Sequence, residues 1–474
     1  MKHSFLLTLL ATTLIASGVF AGEETVGLEK QKNLNIVIYN NNMALVKDMR
    51  NVALKAGKNE VAYAGISGQI IPSSVILDGK NVTFLENNFN FDVLSYQSLL
   101  QKSVGETVTL QYMNPKSGVL ETDTAELVSY NNGNPVLRIN GKIDASYPGR
   151  IVFNRLPTQL RVKPTLVMNI AANQPGNQDL TLNYLTNGLS WDASYVAQIN
   201  ADNTQMALNG WVTLTNNSGM DYQNAHMQVV AGDVHTVSEP VLMRRSMNKS
   251  MAYGDTLAAA APMTEESIAD YHLYTLPRTT DILNNQTKQV SLLSADKIGI
   301  RKKYTFNNQL RPHTEAKNIK PNVSVQFKNT KENQLGIALP RGVVRLYQAD
   351  KKGDLIFVGE DRISHVGNLE EVNLNMGTAF DISATARRIQ NNEKDEPITQ
   401  NRVKHISVNT YEIILKNGTK SPVKVEIQED FTPKARILSE TKASKKLSAN
   451  RYEWSVQIPA EGEEKLTYTV REEF

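Results

Sequence analysis

Beyond residue 21, apolar and polar side chains alternate in runs of four to eight positions along most of the chain. A period of two puts one face of each run against a core and the other in water. An amphipathic α-helix repeats about every 3.6 residues and cannot carry this pattern. The clearest runs are Val323, Val325 and Phe327; Leu335, Ile337 and Leu339; Tyr411, Ile413 and Leu415; Val423, Val425 and Ile427; Tyr452, Trp454, Val456 and Ile458; and Leu466, Tyr468 and Val470. Between such runs stand Asn132-Gly133, Asn140-Gly141, Asn187-Gly188, Lys352-Gly353-Asp354 and Asn417-Gly418, which tolerate the positive φ of tight turns. The pattern predicts a mainly β, multi-domain chain of stacked antiparallel β-sandwiches, joined by hairpins rather than by helical crossovers.

One local pattern recurs: Val212-Thr-Leu-Thr-Asn216, Val325-Gln-Phe-Lys-Asn329 and Ile413-Ile-Leu-Lys-Asn417 each read as a strand ending at Asn, then a polar turn and another apolar strand. The spacing is uneven, so this is a sandwich feature and not a solenoid repeat. One short helix is predicted over residues 92–103, capped by Asp92, with Val93, Tyr96, Leu99 and Leu100 on one side and Gly105 beyond its end. Alternation fades over residues 238–270, where Arg244-Arg245, Lys249 and the small residues 258–261 carry no pairing signal. That stretch reads as a flexible insertion, either a solvated excursion or a basic loop for a partner. Three units follow: an N-terminal β-rich domain at 22–164, a central β domain at 165–320 holding the insertion, and a C-terminal β-sandwich at 321–474.

The first 21 residues have the layout of a secretory signal peptide. Lys2 and His3 precede an apolar stretch at 5–15, and Val19-Phe20-Ala21 places compact residues at a cut after Ala21. A spanning helix needs about 20 apolar residues, and here Glu23 and Glu24 follow at once. No later run approaches that length, so no integral membrane segment is expected after cleavage. The absence of cysteine excludes disulfides and a lipid-modified N-terminal Cys. A long cysteine-free exported chain suits a bacterial envelope, where a large core replaces covalent staples. The periplasm is the expected location, with the outer surface or the medium as the other destinations. Lys and Arg number 51 against 48 Asp and Glu, far from the basic excess of a nucleic-acid binder.

The familiar signatures of chemistry are missing. His226 and His235 flank Asp233 and could meet across a hairpin, but two independent polar side chains explain the spacing as well. Gly65-Ile66-Ser67-Gly68 is one residue short of a nucleophile elbow, and Gly57-Lys58 and Gly141-Lys142 lack the Ser or Thr of a phosphate loop. Asp354, Glu360, Asp361 and Asp381 stand near predicted strand ends, where a hydrolase could assemble a carboxylate pair, though surface turns favour acidic residues anyway. Tyr184, Trp191, Tyr195, Trp211 and Tyr222 crowd one segment. Alternation favours a core role for them, with an outward recognition platform as the other reading. The charged runs at 442–446 and 461–464 read as solvated turns. No catalytic, cofactor-binding or metal-binding residue is assigned, and no cofactor is expected.

The stretches Tyr184-Leu-Thr-Asn-Gly-Leu-Ser-Trp191, Trp211-Val-Thr-Leu-Thr-Asn-Asn-Ser-Gly219, Val230-Ala-Gly-Asp233, Tyr274-Thr-Leu-Pro277, Leu339-Pro-Arg-Gly342 with Arg345 and Tyr347, Phe357-Val-Gly-Glu-Asp361 and Gly377-Thr-Ala-Phe-Asp-Ile382 resemble the exported bacterial family that carries domain of unknown function 4139, the mucoidy inhibitor A-like group. The resemblance covers roughly residues 165–474. It implies an exported multi-sandwich β protein and no established active site; the coiled coil of some relatives has no counterpart here. Together these features lead to the expectation of a cell-envelope protein that binds a protein or polymer through sandwich loops and edges, with a hydrolase of envelope polysaccharide or peptide as the alternative.

Overall fold

The computed structural model describes residues 22–474 other than 91–94, 116, 132, 156, 158–159, 233, 236–261, 351 and 400–401. The signal at 1–21, Asn132, Asp92, Val93, Asp233 and the insertion up to residue 261 lie outside the described residues.

The chain is mainly β, and its described residues form six sheets. A seven-stranded sheet runs Thr264–Ile268, Tyr271–Ile282, Tyr222–Ala231, Gln31–Tyr39, Met43–Leu54, Gly176–Asn187, Ile76–Asp78. A four-stranded sheet runs Glu24–Val26, Gly57–Ala64, Thr165–Ala172, Val82–Asn90. A five-stranded sheet runs Gln286–Gly299, Gln205–Asn216, Leu189–Ile199, Gly342–Ala349, Leu355–Ile363. These three share one continuous core that includes Ile36, Val46, Leu182, Tyr184, Trp191, Tyr195 and Met227. The C-terminal sandwich pairs a six-stranded sheet, centred on Arg301–Asn307 and Val423–Asp430, with a five-stranded sheet centred on Arg402–Asn417. Its core is aromatic: Trp454 stacks on Tyr468 at 4.5 Å, and Phe431 meets both edge-on.

Pairing is not purely by hairpin. Leu189–Ile199 lies parallel to Gly342–Ala349, Tyr222–Ala231 to Gln31–Tyr39, and Arg301–Asn307 to Val423–Asp430. The divisions expected at 164 and 320 cut through hydrogen-bonded sheets. Thr165–Ala172 is held between Gly57–Ala64 and Val82–Asn90, and Asn322–Lys328 pairs with Arg301–Asn307. The chain leaves the four-stranded sheet at residue 90 and returns to it at 165. In between it builds a separate five-stranded sheet, spanning Thr107–Met113 to Arg150–Val152, with its own small core of Leu100, Val108, Leu110, Leu127 and Leu137.

The predicted helix is present but shorter, Tyr96–Lys102, and its cap is Ser95. The Ser95 hydroxyl accepts from the Ser98 amide at 3.0 Å while the Ser98 hydroxyl accepts from the Ser95 amide at 2.8 Å, a reciprocal capping box. Leu335 and Leu339 are buried as their alternation implies, yet no strand forms there. Gly336 takes φ +86°, and only Leu339 makes a bridge, to Val366.

The recurring strand-end asparagines are corners where the chain crosses between facing sheets. Asn216 ends a strand of the five-stranded sheet before Tyr222–Ala231 joins the seven-stranded one, and Asn417 leads from Arg402–Asn417 to Val423–Asp430 of the opposite sheet. Asn216 Oδ1 accepts from the Ser218 amide and hydroxyl at 3.0 and 2.8 Å, while Nδ2 donates to the Met220 and Ile282 carbonyls at 2.8 and 3.1 Å. Asn417 repeats this with Thr419, Ser421 and Pro459 at 2.7–2.9 Å. Asn329 holds its corner through the Gly336 amide and the Ile337 and Gly367 carbonyls. All three are buried, so Asn216-x-Ser218 and Asn417-x-Thr419 are folding devices in this chain. Removing such a carboxamide orphans buried backbone groups. Asn417→Ala is expected to cost about 2 kcal/mol, and Asn417→Asp a similar amount, because a carboxylate cannot donate to Ser421 and Pro459. Urea unfolding checks this; an Asp variant as stable as wild type would refute the donor half of the account.

Candidate functional site

The five-stranded sheet has one buried and one open face. Along Leu189–Ile199 the odd residues Leu189, Trp191, Ala193, Tyr195, Ala197 and Ile199 are buried, and Asp192, Ser194, Val196 and Gln198 point the other way. In Gln205–Asn216 the even residues Met206, Leu208, Val212 and Leu214 are buried, which turns Trp211 outward, 38% exposed. Cross-strand register aligns Ser291, Trp211, Ser194, Val343 and Arg362 in one row, and Asn209, Val196, Arg345 and Glu360 in the next. Tyr347 and Phe357 follow, their rings edge-on at 5.6 Å.

Within this face lies an open groove of about 840 Å³, lined by Asp192, Ser194, Thr213, Thr287, Gln289, Arg341, Arg345, Arg362 and Ser364. Its floor needs a glycine, since a Cβ on Gly342 would sit 2.3 Å from the Ala193 carbonyl oxygen. The turn that delivers Arg341 is fixed from below. The buried Tyr195 hydroxyl donates to the Pro340 carbonyl at 2.7 Å, Leu339 and Val366 exchange amide bonds at 2.8 and 2.9 Å, and the Arg341 amide donates to His365 Nδ1 at 3.3 Å. Three arginines and one carboxylate, Asp192, thus line one groove. Arg345 also approaches Glu360 at 3.5 Å, but both are half exposed and such a pair is worth little. Planar guanidinium forks recognise carboxylate or phosphate by paired hydrogen bonds, and the surrounding hydroxyls and amides both donate and accept.

The sequence candidates separate cleanly. Tyr184, Trp191, Tyr195 and Tyr222 are core residues; Trp191 Nε1 donates to the Val230 carbonyl at 3.1 Å. Only Trp211 of the five reaches the surface. Ser67 is buried, with its hydroxyl bonded to Thr186 at 2.6 Å and to the Ser218 carbonyl at 3.1 Å, so it is a packing residue. His226 and His235 are exposed, and among the described residues no group of three or more His, Asp or Glu is placed to hold a metal. The four acidic candidates are not brought together. Asp354 closes a turn on Asp350, Glu360 faces Arg345, Asp361 accepts from the Asn375 amide at 2.7 Å, and the Asp381 carbonyl holds Gly418. Glu360 and Asp361 are strand neighbours and so point to opposite faces. Sequence reading did not assemble Arg341, Arg345 and Arg362, because parallel pairing across more than 140 residues lays Gly342–Ala349 beside Leu189–Ile199 and so puts these arginines on the same open face as Trp211; the parity of Trp211 against Leu208, Val212 and Leu214 was the available signal.

Among the described residues no helix is long and apolar enough to cross a membrane. No curated protein matches this chain. A family profile described as a domain of unknown function, DUF4139, matches residues 180–474, which takes in all five strands of the grooved sheet. With more than half of its length matched, the chain belongs to the DUF4139 family.

Proposed function

We propose that this is an exported cell-envelope protein that works by binding, and that the open face of the grooved sheet is its binding surface. The export part of the reading rests on the signal-like pattern of residues 1–21. The observation that carries the binding part is the groove itself: a sheet face, uncovered among the described residues, that presents Arg341, Arg345 and Arg362 over a glycine floor, with Trp211 farther along the same face. Binding sites combine such fixed polar groups with an exposed aromatic anchor. A face is favoured over the edges of this sheet. Gln286–Gly299 carries two register shifts against its neighbour together with Lys288, Asp296 and Lys297, devices that blunt edge pairing. At the other edge, Asp361 reaches the Asn375 amide of the adjoining sheet.

The test is site-specific photocrosslinking in cells, with the probe at position 211 or 345 and a control at Lys420. The reading expects one reproducible adduct from 211 and 345 that is absent from 420. The same products from all three positions, or none from any, would overturn it.

A further inference from the structure

We infer that the groove takes a carboxylate-bearing sugar chain; this rests on the binding reading above and adds the ligand's chemistry to it. Trp211 is the one indole on the face, set between Ser194 and Ser291 across the strands and between Asn209 and Thr213 on its own side of the strand. A flat ring on a hydroxyl-rich floor suits a pyranose, whose C–H face packs on the indole while its hydroxyls exchange hydrogen bonds with Ser, Thr and Gln side chains. Three strand intervals separate Trp211 from Arg362 in one cross-strand row, about 14 Å at the usual strand spacing of about 4.8 Å, which is long enough for more than one sugar unit. Charge sets the class of sugar. In and beside the groove, Arg341, Arg345 and Arg362 stand against Asp192 and the Glu360 that approaches Arg345, a small positive excess that favours a chain with one anionic group per unit, and the guanidinium fork matches a carboxylate in its plane.

A peptide is disfavoured by the same geometry. Extended peptides gain affinity from backbone pairing at a free strand edge, whereas the interior strands of this sheet have their backbone groups committed to neighbours on both sides. Single-stranded nucleic acid uses a series of aromatic stacking platforms in a strongly basic channel, and among the described residues no aromatic ring lines this groove, in a chain of near-neutral charge.

The experiment is titration calorimetry of the purified exported protein with polygalacturonate, its methyl ester and poly-L-glutamate. Saturable binding of polygalacturonate is expected, weakened about tenfold or more in the methyl ester. Trp211→Ala and Arg362→Ala should each weaken it by about five- to tenfold, with unchanged thermal melting because both side chains lie on the surface. Poly-L-glutamate binding as tightly as polygalacturonate and indifferent to Trp211→Ala would overturn the sugar class, and equal binding of the methyl ester would overturn carboxylate recognition. No binding of any polymer, with crosslinks from position 211 still formed in cells, would overturn this inference and leave the binding face standing. No binding and no crosslinks would remove both.

Discussion

Arg50→Ala should lower the stability of the N-terminal core by about 3–5 kcal/mol, the cost of breaking a buried ion pair by removing one partner. Arg50 is fully buried and binds Asp48, itself buried, at 2.6 Å. It also donates to the carbonyls of Val26 and Ala64 at 2.7 Å each, and its guanidinium lies 4.9 Å from the Tyr63 ring centroid. Alanine would leave the Asp48 carboxylate with one described side-chain donor, Gln31 at 2.8 Å, and two carbonyls in a dry interior. Burying such groups without partners is what makes the loss large. The double variant Asp48→Leu, Arg50→Met should recover part of the loss by removing both charges, though the Val26 and Ala64 carbonyls stay unpaired. Urea unfolding of the three proteins decides: a single variant within 1 kcal/mol of wild type, or a double variant worse than the single one, would show that the ion pair does not hold this corner.

That pair also marks how far the sequence could be read. Met43–Leu54 alternates, and its inward register contains Ala44, Val46, Asp48, Arg50, Val52 and Leu54. Two opposite charges two residues apart in an inward register must share a face, so their pairing was legible in principle. Likewise the inward faces of the C-terminal strands were readable from period alone: Val325, Phe327, Ile413, Leu415, Val456 and Tyr468 are all buried. The Asn-Gly at 140–141 makes the expected tight turn, with φ +48° and +79°. At 187–188 the same dipeptide instead turns the chain from the seven-stranded into the five-stranded sheet, with Gly188 at φ +89° and too close to Ser218 for a Cβ. Local sequence specifies that a turn occurs, and the packing partner decides whether it closes a hairpin or crosses the sandwich. The groove was the least legible part for the same reason. Its arginines are ordinary surface residues until a parallel strand pair, set by long-range packing, lays them on the same sheet face as Asp192 and Ser194.

The second large effect is on pH. Glu429 is buried in the C-terminal sandwich, and burial pushes its carboxyl up to about 7 against the partial relief of the Leu310 and Gln309 amides and of Arg311; the Asp430 charge raises it further. Arg311 cannot fully neutralise it because the same guanidinium binds Glu472, donates to the Asp430 carbonyl at 2.8 Å and lies 4.4 Å from the Phe431 ring centroid. The Tyr468 hydroxyl, raised chiefly by burial and then by the Glu429 charge, is buried beside this cluster without a hydrogen-bond partner. A raised carboxyl keeps its proton in the folded chain while the unfolded chain releases it. Below the unfolded value of about 4.5 the group contributes nothing, and stability falls as pH climbs from about 4.5 to about 7. The full drop is about 3 kcal/mol for a shift of this size. Carboxylates held low by cation partners, among them Glu473 at about 2 beside Lys404 and Arg471 and Glu412 beside Lys465 and Arg387, act below that window and with the opposite sign: their stabilisation is lost as pH falls. Glu429→Gln keeps an acceptor for the Leu310 amide, now 3.0 Å from Glu429 Oε1, and removes the titration. The variant should therefore match wild type near pH 4 and exceed it by up to about 3 kcal/mol at pH 8. Urea unfolding of both proteins at the two pH values measures this directly. Parallel stability profiles would mean that Glu429 is ionised in the folded sandwich and that Arg311 compensates its burial after all.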